Sequence, residues 1–182
     1  TFEKIPSINS FLYEFYSMGA VRHGDYIAKV RVIPTEQTKN AITQKDIDLD
    51  SAEWPYRKGI IKEIAQKNLT FELQIQLCKD LKEMPVNDLT KEWSQELSPF
   101  RTVAKITIPK QTVPEDGNFE IMENLSFTPF RTIEENSPIG NLQRSRQSAY
   151  VTSSTSRHEL NHKKRKEPKN LEEAFSPEFY QL

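Results

Sequence analysis

The chain has 182 residues, 36% of them hydrophobic and 28% charged. That length suggests one domain or a large piece of one, with a real core of modest size. Twenty-five basic residues against 26 acidic ones leave a net charge of -1, so no whole-chain field points to nucleic acid or to a membrane surface. No segment is apolar over a bilayer's thickness. The single cysteine, Cys78, excludes a disulfide framework and reads as a small buried apolar residue. With no secretory signal, the expected location is cytoplasmic. The chain begins at Thr1 rather than a methionine, which suggests a fragment.

In chain order, residues 1–24 mix aromatics with "MGAVRHGD" and predict a short helix or extended lead-in, then a turn. "DYIAKVRVIPT" alternates Ala28, Val30 and Val32 with Lys29 and Arg31, the pattern of a strand with one wet face, stopped by Pro34. Residues 35–58 read as a long polar excursion, and a short helix is expected from Gly59 to Lys67. "LTFELQIQLC" is the clearest strand, with Phe71, Leu73, Ile75 and Leu77 on one side and Glu72, Gln74 and Gln76 on the other. A loop punctuated by Pro85 and Pro99 follows. "RTVAKITIP" predicts a third strand, and "FEIMENLSFTP" an irregular fourth. "SPIG" reads as a helix start, with Ser137 as cap and Pro138 in the first turn. The helix is expected from Asn141 to about His162, followed by a basic, solvated exit, "KKRKEPKN". Antiparallel strands, long connections and one terminal helix make this an α+β chain. Residues 1–168 form the expected domain, and 169–182 a loosely docked tail.

Two constellations on the terminal helix bear on chemistry. "HELNH" fits H-E-x-x-H, in which His158 and His162 would grip zinc and Glu159 act as general base. Zinc needs a third protein ligand, for which Glu172, Glu173, Glu178 and His23 are the candidates, and no spacing favours any of them. The flanks "SSTSR" and "KKRK" are wet, so two exposed helical histidines are the plainer reading and a zinc hydrolase the minor one. On a helical wheel, Arg146, Tyr150, Arg157 and Asn161 form one stripe, with the small Ser153 and Ser154 beside it. An ordinary polar face with one tyrosine docked on the sheet would explain the spacing. A phenol titrates near pH 10 and is a poor anionic ligand unless a neighbouring guanidinium or a ferric ion favours the phenolate. Small serines would leave room for a flat group, and the second arginine could pair with its carboxylate. Such a stripe would serve as a tyrosinate haem site.

These residues resemble the catalase-like haem proteins, in particular the smaller catalase-related branch that includes relatives of allene oxide synthase. The resemblance spans roughly residues 11–168 and is carried by "YSMGAVRHGDYIAKVRVIPT", "FELQIQLCKDLKEMPVNDLTKEW", "ELSPFRTVAKITIPKQ", "ENLSFTPF" and "SPIGNLQRSRQSAY". Its most specific part is R-x-x-x-Y, with an arginine seven residues past the tyrosine and an asparagine four further on. Arg146, Tyr150, Arg157 and Asn161 stand at those offsets. "VTSSTS" replaces the aspartate–threonine–histidine run that follows the family tyrosine, a change compatible with the catalase-related branch.

The resemblance implies haem b with Tyr150 as axial iron ligand, Arg146 supporting its phenolate, Arg157 near a propionate and Phe127 as an aromatic beside the haem. Haem held by tyrosine is the general description of catalase. The implied fold is the antiparallel barrel half of the catalase-like fold, with Tyr150 on its C-terminal proximal helix. The implied substrates are hydrogen peroxide or organic hydroperoxides such as those of fatty acids. The family's distal histidine and asparagine come from an earlier half that no segment here matches, and His23 lies in the wrong stretch. No catalytic residue is therefore assigned in this chain, and a complementary N-terminal half or a homo-oligomer is the implied partner. A degenerate catalase-fold module without haem is the alternative.

Overall fold

A computed structural model describes residues 7–50, 53–113, 125–164, 167–170 and 172–173. Its strands are β1 (Phe15–Tyr16), β2 (Val21–His23), β3 (Tyr26–Pro34), β4 (Leu69–Leu77) and β5 (Arg101–Ile108). Its helices are α1 (Glu36–Ala41), α2 (Pro55–Ile64) and α3 (Asn141–Leu160). The strands form one antiparallel sheet in the order β1-β3-β4-β5, with β2 also pairing β3. Among the described residues this sheet is open and is not closed into a barrel.

Two short strands share one edge of β3. Phe15 pairs with Val32, and Val21 pairs with Ala28. Ser17 bridges the gap, since its N–H donates to the Val30 carbonyl at 2.8 Å and its Oγ accepts from the Val30 N–H at 3.0 Å. Beyond β2, the Arg22 N–H donates to the Ser137 carbonyl and the Ile139 N–H to the Ala20 carbonyl. The segment leading into α3 is thereby tied to the sheet.

The strand alternation predicts β3, β4 and β5, and the structure has all three. The apolar face of β4 contributes Leu69 and Phe71 to a core with Ile42 and Ile64, against which Phe11 and Leu12 pack. The Phe11 and Phe71 rings lie 6.1 Å apart. Burying each such side chain stabilises the fold by about 1.5–3 kcal/mol.

The other face was expected to be wet, and it is not. Gln74 and Gln76 are buried. The loop between β4 and β5 folds over Gln76, whose Nε2 donates to the Trp93 and Ser98 carbonyls at 2.9 Å. Arg31 donates twice to the Gln74 Oε1, at 2.9 and 2.6 Å, and its guanidinium lies 4.1 Å from the Phe100 ring centre. Lys29 sits 4.6 Å over the Trp93 ring. Burial pushes its amine below the usual lysine range, against the pull of Glu92. Long stems under aromatic rings let these cations cover a sheet face. Met84, Trp93 and Ala20 make a second small core beneath the loop.

Three helical expectations need correction. The polar excursion contains α1. It is capped by the Thr35 hydroxyl, which accepts from the Thr38 N–H at 3.2 Å. The buried Thr38 hydroxyl donates to the Thr70 carbonyl and accepts from the Thr70 N–H, both at 2.7 Å. Next, α2 runs from Pro55 to Ile64, about one turn earlier than expected from Gly59. Finally, Ser137 does not cap α3. It closes a short 3-10 turn, Glu134–Asn136, and Pro138 bridges to Val21.

The residue that starts α3 is Gly140, at φ 94°. The first N–H of α3 is satisfied from outside, because the Asn141 N–H donates to the Asn87 Oδ1 at 2.8 Å. An alanine at 140 would strain the backbone and place its Cβ 2.8 Å from the Val86 Cγ1. Gly140→Ala is expected to cost about 1–3 kcal/mol in urea unfolding. No change in midpoint would count against this account.

The predicted fourth strand falls mostly on residues 114–124, outside the described residues, and Leu125–Thr128 form no strand. The tail from 174 also lies outside them. No described helix is long and apolar enough to cross a membrane.

Candidate functional site

The twenty residues of α3 bury only Gln143, Ser154 and His158. The helix packs along the segment from Leu125. The Ser126 and Ser154 hydroxyls are 2.7 Å apart, and the Arg157 Nη2 donates to the Leu125 carbonyl at 2.9 Å. Between helix and segment lies an open groove of about 350 Å³, lined by Leu125, Phe127, Ala149, Tyr150, Ser153, Ser154 and Arg157. The small residues Ala149 and Ser153 leave the helix flank low. Phe127, 72% exposed, forms an apolar wall.

Tyr150 and Arg146 are one helical turn apart, so their side chains meet. The Arg146 Nη2 donates to the Tyr150 Oη at 2.7 Å, and its guanidinium carbon lies 5.2 Å from the ring centre. A guanidinium only donates. The phenol oxygen is therefore the acceptor here, and its own proton must point elsewhere.

The structure brings Tyr150, Arg157 and Phe127 to one groove, with Arg146 behind the phenol. Asn161, the fourth member of the sequence stripe, is the C-cap of α3 and does not line the groove. Sequence reasoning missed Gln143, which accepts from the Arg146 Nη1 at 3.0 Å. Its position three residues before Arg146 was the available signal.

The histidine pair does not form the arrangement H-E-x-x-H requires. His158 is buried rather than exposed, and its Nδ1 lies 2.7 Å from the Ser154 carbonyl. A carbonyl only accepts, so that nitrogen carries the proton. His162 lies past the helix end, at φ 52°, and is not one turn further along the same helix. Among the described residues no three metal-ligating side chains cluster. Glu172, Glu173 and His23 are described and join no such group, and Glu178 lies outside the described residues. Cys78 is half-buried, and burial pushes its thiol above the usual range.

The site thus sits on a helix joined to an open antiparallel sheet through the segment beside β2. The chain is similar in structure to a fungal catalase, with TM-score 0.63 and 18% identity, over 97% of this chain and 40% of that one. It is similar to catalase A from Saccharomyces cerevisiae with TM-score 0.63 and 21% identity, over 97% of this chain and 41% of that one. At this identity the likeness establishes the fold. The chain spans about two fifths of the length of these catalases. No family model and no curated protein matches it.

Proposed function

We propose that the α3 groove would hold haem b, with Tyr150 as the residue that ligates its iron, and that the chain is the proximal part of a protein acting on hydrogen peroxide or an organic hydroperoxide. The observation that carries the reading is the 2.7 Å hydrogen bond from Arg146 to the Tyr150 oxygen beside a groove whose helix flank is kept low by Ala149 and Ser153. The donor set suits ferric haem, because a phenol whose oxygen faces a fixed cation can give up its proton to an electrophile. When bound, a phenolate-held haem iron supplies redox chemistry at peroxide bonds.

Each residue of the chain has a task in this reading. Arg146 orients the phenol and balances the charge left when its proton departs. Phe127 and Leu125, which line the groove, would shield the group in part from water. Arg157 stands about 10 Å along the helix from Tyr150, at 1.5 Å per residue, where it would meet a carboxylate of the same ligand. The distal proton-handling groups would come from a complementary N-terminal half or a second copy. On this reading residues 1–168 belong to one catalase-like domain.

A haem-free module that keeps only the fold is the second reading, favoured by the commitment of Arg157 to the Leu125 carbonyl. Haem titration followed by absorbance separates the two. The expected result is one haem per chain with a high-spin ferric spectrum, and loss of that spectrum in Tyr150→Phe. An identical spectrum in Tyr150→Phe, or no uptake even with a supplied N-terminal half, would overturn the haem reading.

A further inference from the structure

We propose that Gln143 is a positioning residue for Tyr150, acting through Arg146, and that Gly19 and Ala20 at the sheet edge set where Gln143 sits. The inference rests on the haem-groove reading for its consequence and on the hydrogen-bond chain for its geometry.

Gln143 is 3% exposed, which is unusual for an amide on a helix that is otherwise open to solvent. Both ends of the amide are used. Oε1 accepts from the Arg146 Nη1 at 3.0 Å, and Nε2 donates to the Ala20 carbonyl at 3.4 Å. The orientation of the amide follows from chemistry, since arginine only donates and a carbonyl only accepts. Ala20 is itself fixed, packed with Met84 and Trp93 in the second core and held by the Ile139 N–H at 3.1 Å. Gly19 closes the other side. A Cβ there would lie 2.9 Å from the Gln143 Nε2 and 3.1 Å from its Cδ.

The chain of contacts thus runs from the sheet edge through Gln143 and Arg146 to the Tyr150 oxygen. Arginine is long and rotamer-rich, and Arg146 is only half-buried. Held by Tyr150 alone, it would join two movable groups. Held at one Nη by Gln143 and at the other by Tyr150, its planar fork has a single orientation. A leucine at 143 offers neither bond, whereas a glutamate keeps the acceptor for Arg146 and gives up the donor to Ala20.

The test uses the full haem-free chain and arginine side-chain nitrogen NMR. The Arg146 signal is identified by its loss in Arg146→Lys. In the unaltered chain, slow rotation about the Nε–Cζ bond and separate Nη signals are expected for Arg146. Gln143→Leu is expected to collapse them and Gln143→Glu to keep them. Gly19→Ala is expected to act like Gln143→Leu by pushing the amide aside from the opposite element. With haem added, Gln143→Leu and Gly19→Ala are expected to bind about 10-fold more weakly, the usual size of an outer-shell effect on a metal site.

Unchanged Arg146 signals in both Gln143→Leu and Gly19→Ala would overturn the proposal. If circular dichroism shows Gln143→Leu unfolded, the contrast between Gly19→Ala and Gln143→Glu decides. If the NMR contrast holds but no variant takes up haem, the positioning role stands and the haem reading fails.

Discussion

Glu63→Ala is expected to lower the unfolding free energy by about 3–5 kcal/mol, as removal of one partner of a buried ion pair does. The Glu63 side chain is fully buried on α2. Its Oε1 accepts from the Thr43 N–H, the Thr43 hydroxyl and the Gln44 N–H at 3.1, 2.8 and 3.0 Å. Its Oε2 lies 2.8 Å from the Lys67 Nζ. One carboxylate therefore fastens the chain after α1 to α2 and to the lead-in of β4. Truncation would leave the Thr43 and Gln44 N–H groups without partners in a dry site and Lys67 with the Ala41 carbonyl alone.

Burial by itself would push the Glu63 carboxyl up. The Lys67 ammonium, the Gln44 N–H and the Thr43 hydroxyl outweigh it and hold the carboxyl below its ordinary value. A lowered folded-state value means that the group's stabilisation is fully present above the ordinary carboxylate range. It is lost as pH falls through the lowered value. Urea midpoints measured between neutral and acidic pH should fall for the unaltered chain and flatten in Glu63→Gln, whose amide does not titrate there. Parallel acid limbs in the two proteins would contradict the assignment.

Trp93→Ala is expected to cost about 3–5 kcal/mol, the range for a large aromatic removed from a core. The ring is 2% exposed, packs with Met84 and Ala20, lies under Lys29 and donates from its Nε1 to the Pro85 carbonyl at 3.1 Å. Its loss opens a cavity and orphans that carbonyl. It also loosens the loop that carries Val86 and Asn87, the neighbours of Gly140 and Asn141. Amide exchange at Asn141 should therefore accelerate more in Trp93→Ala than exchange at the centre of β4. Uniform acceleration would mean that the loop and the α3 start are not one unit.

The strands were legible because alternation of period two survives burial: Phe71 and Ile75 point inward as the pattern demands. The covering of the opposite face was not legible. Gln74 and Gln76 look like solvent residues, yet Arg31 covers the first and the loop carrying Trp93 folds back over the second. Helix α1 has six residues, too few for periodicity. It is held by Thr38 against Thr70, a contact 32 residues long in sequence, and its only local signal was the Thr35 cap. The start of α3 at Asn141 was legible, but its cap was not, because the first N–H is satisfied by Asn87, far away in the chain.

At the site, the meeting of Arg146 with Tyr150 follows from helical spacing alone. The anchoring of Gln143 on Gly19 and Ala20 does not, because it joins positions 123 residues apart. The polar flanks of the motif suggested that His158 is exposed. The structure buries it with Ser154 where α3 meets the segment from Leu125, a contact that no local pattern encodes.

The outer border of β5 has a practical consequence. Residues 101–107 are exposed, Val103 and Ile106 among them at 47% and 38%, and among the described residues no strand lies beyond β5. Amide and carbonyl groups along such a border are a template for another polypeptide. The cationic heads of Arg101 and Lys105 are the features that discourage fibril-like stacking. Dilute handling at low salt, which keeps those charges unscreened, is the regime in which the isolated chain should stay monodisperse.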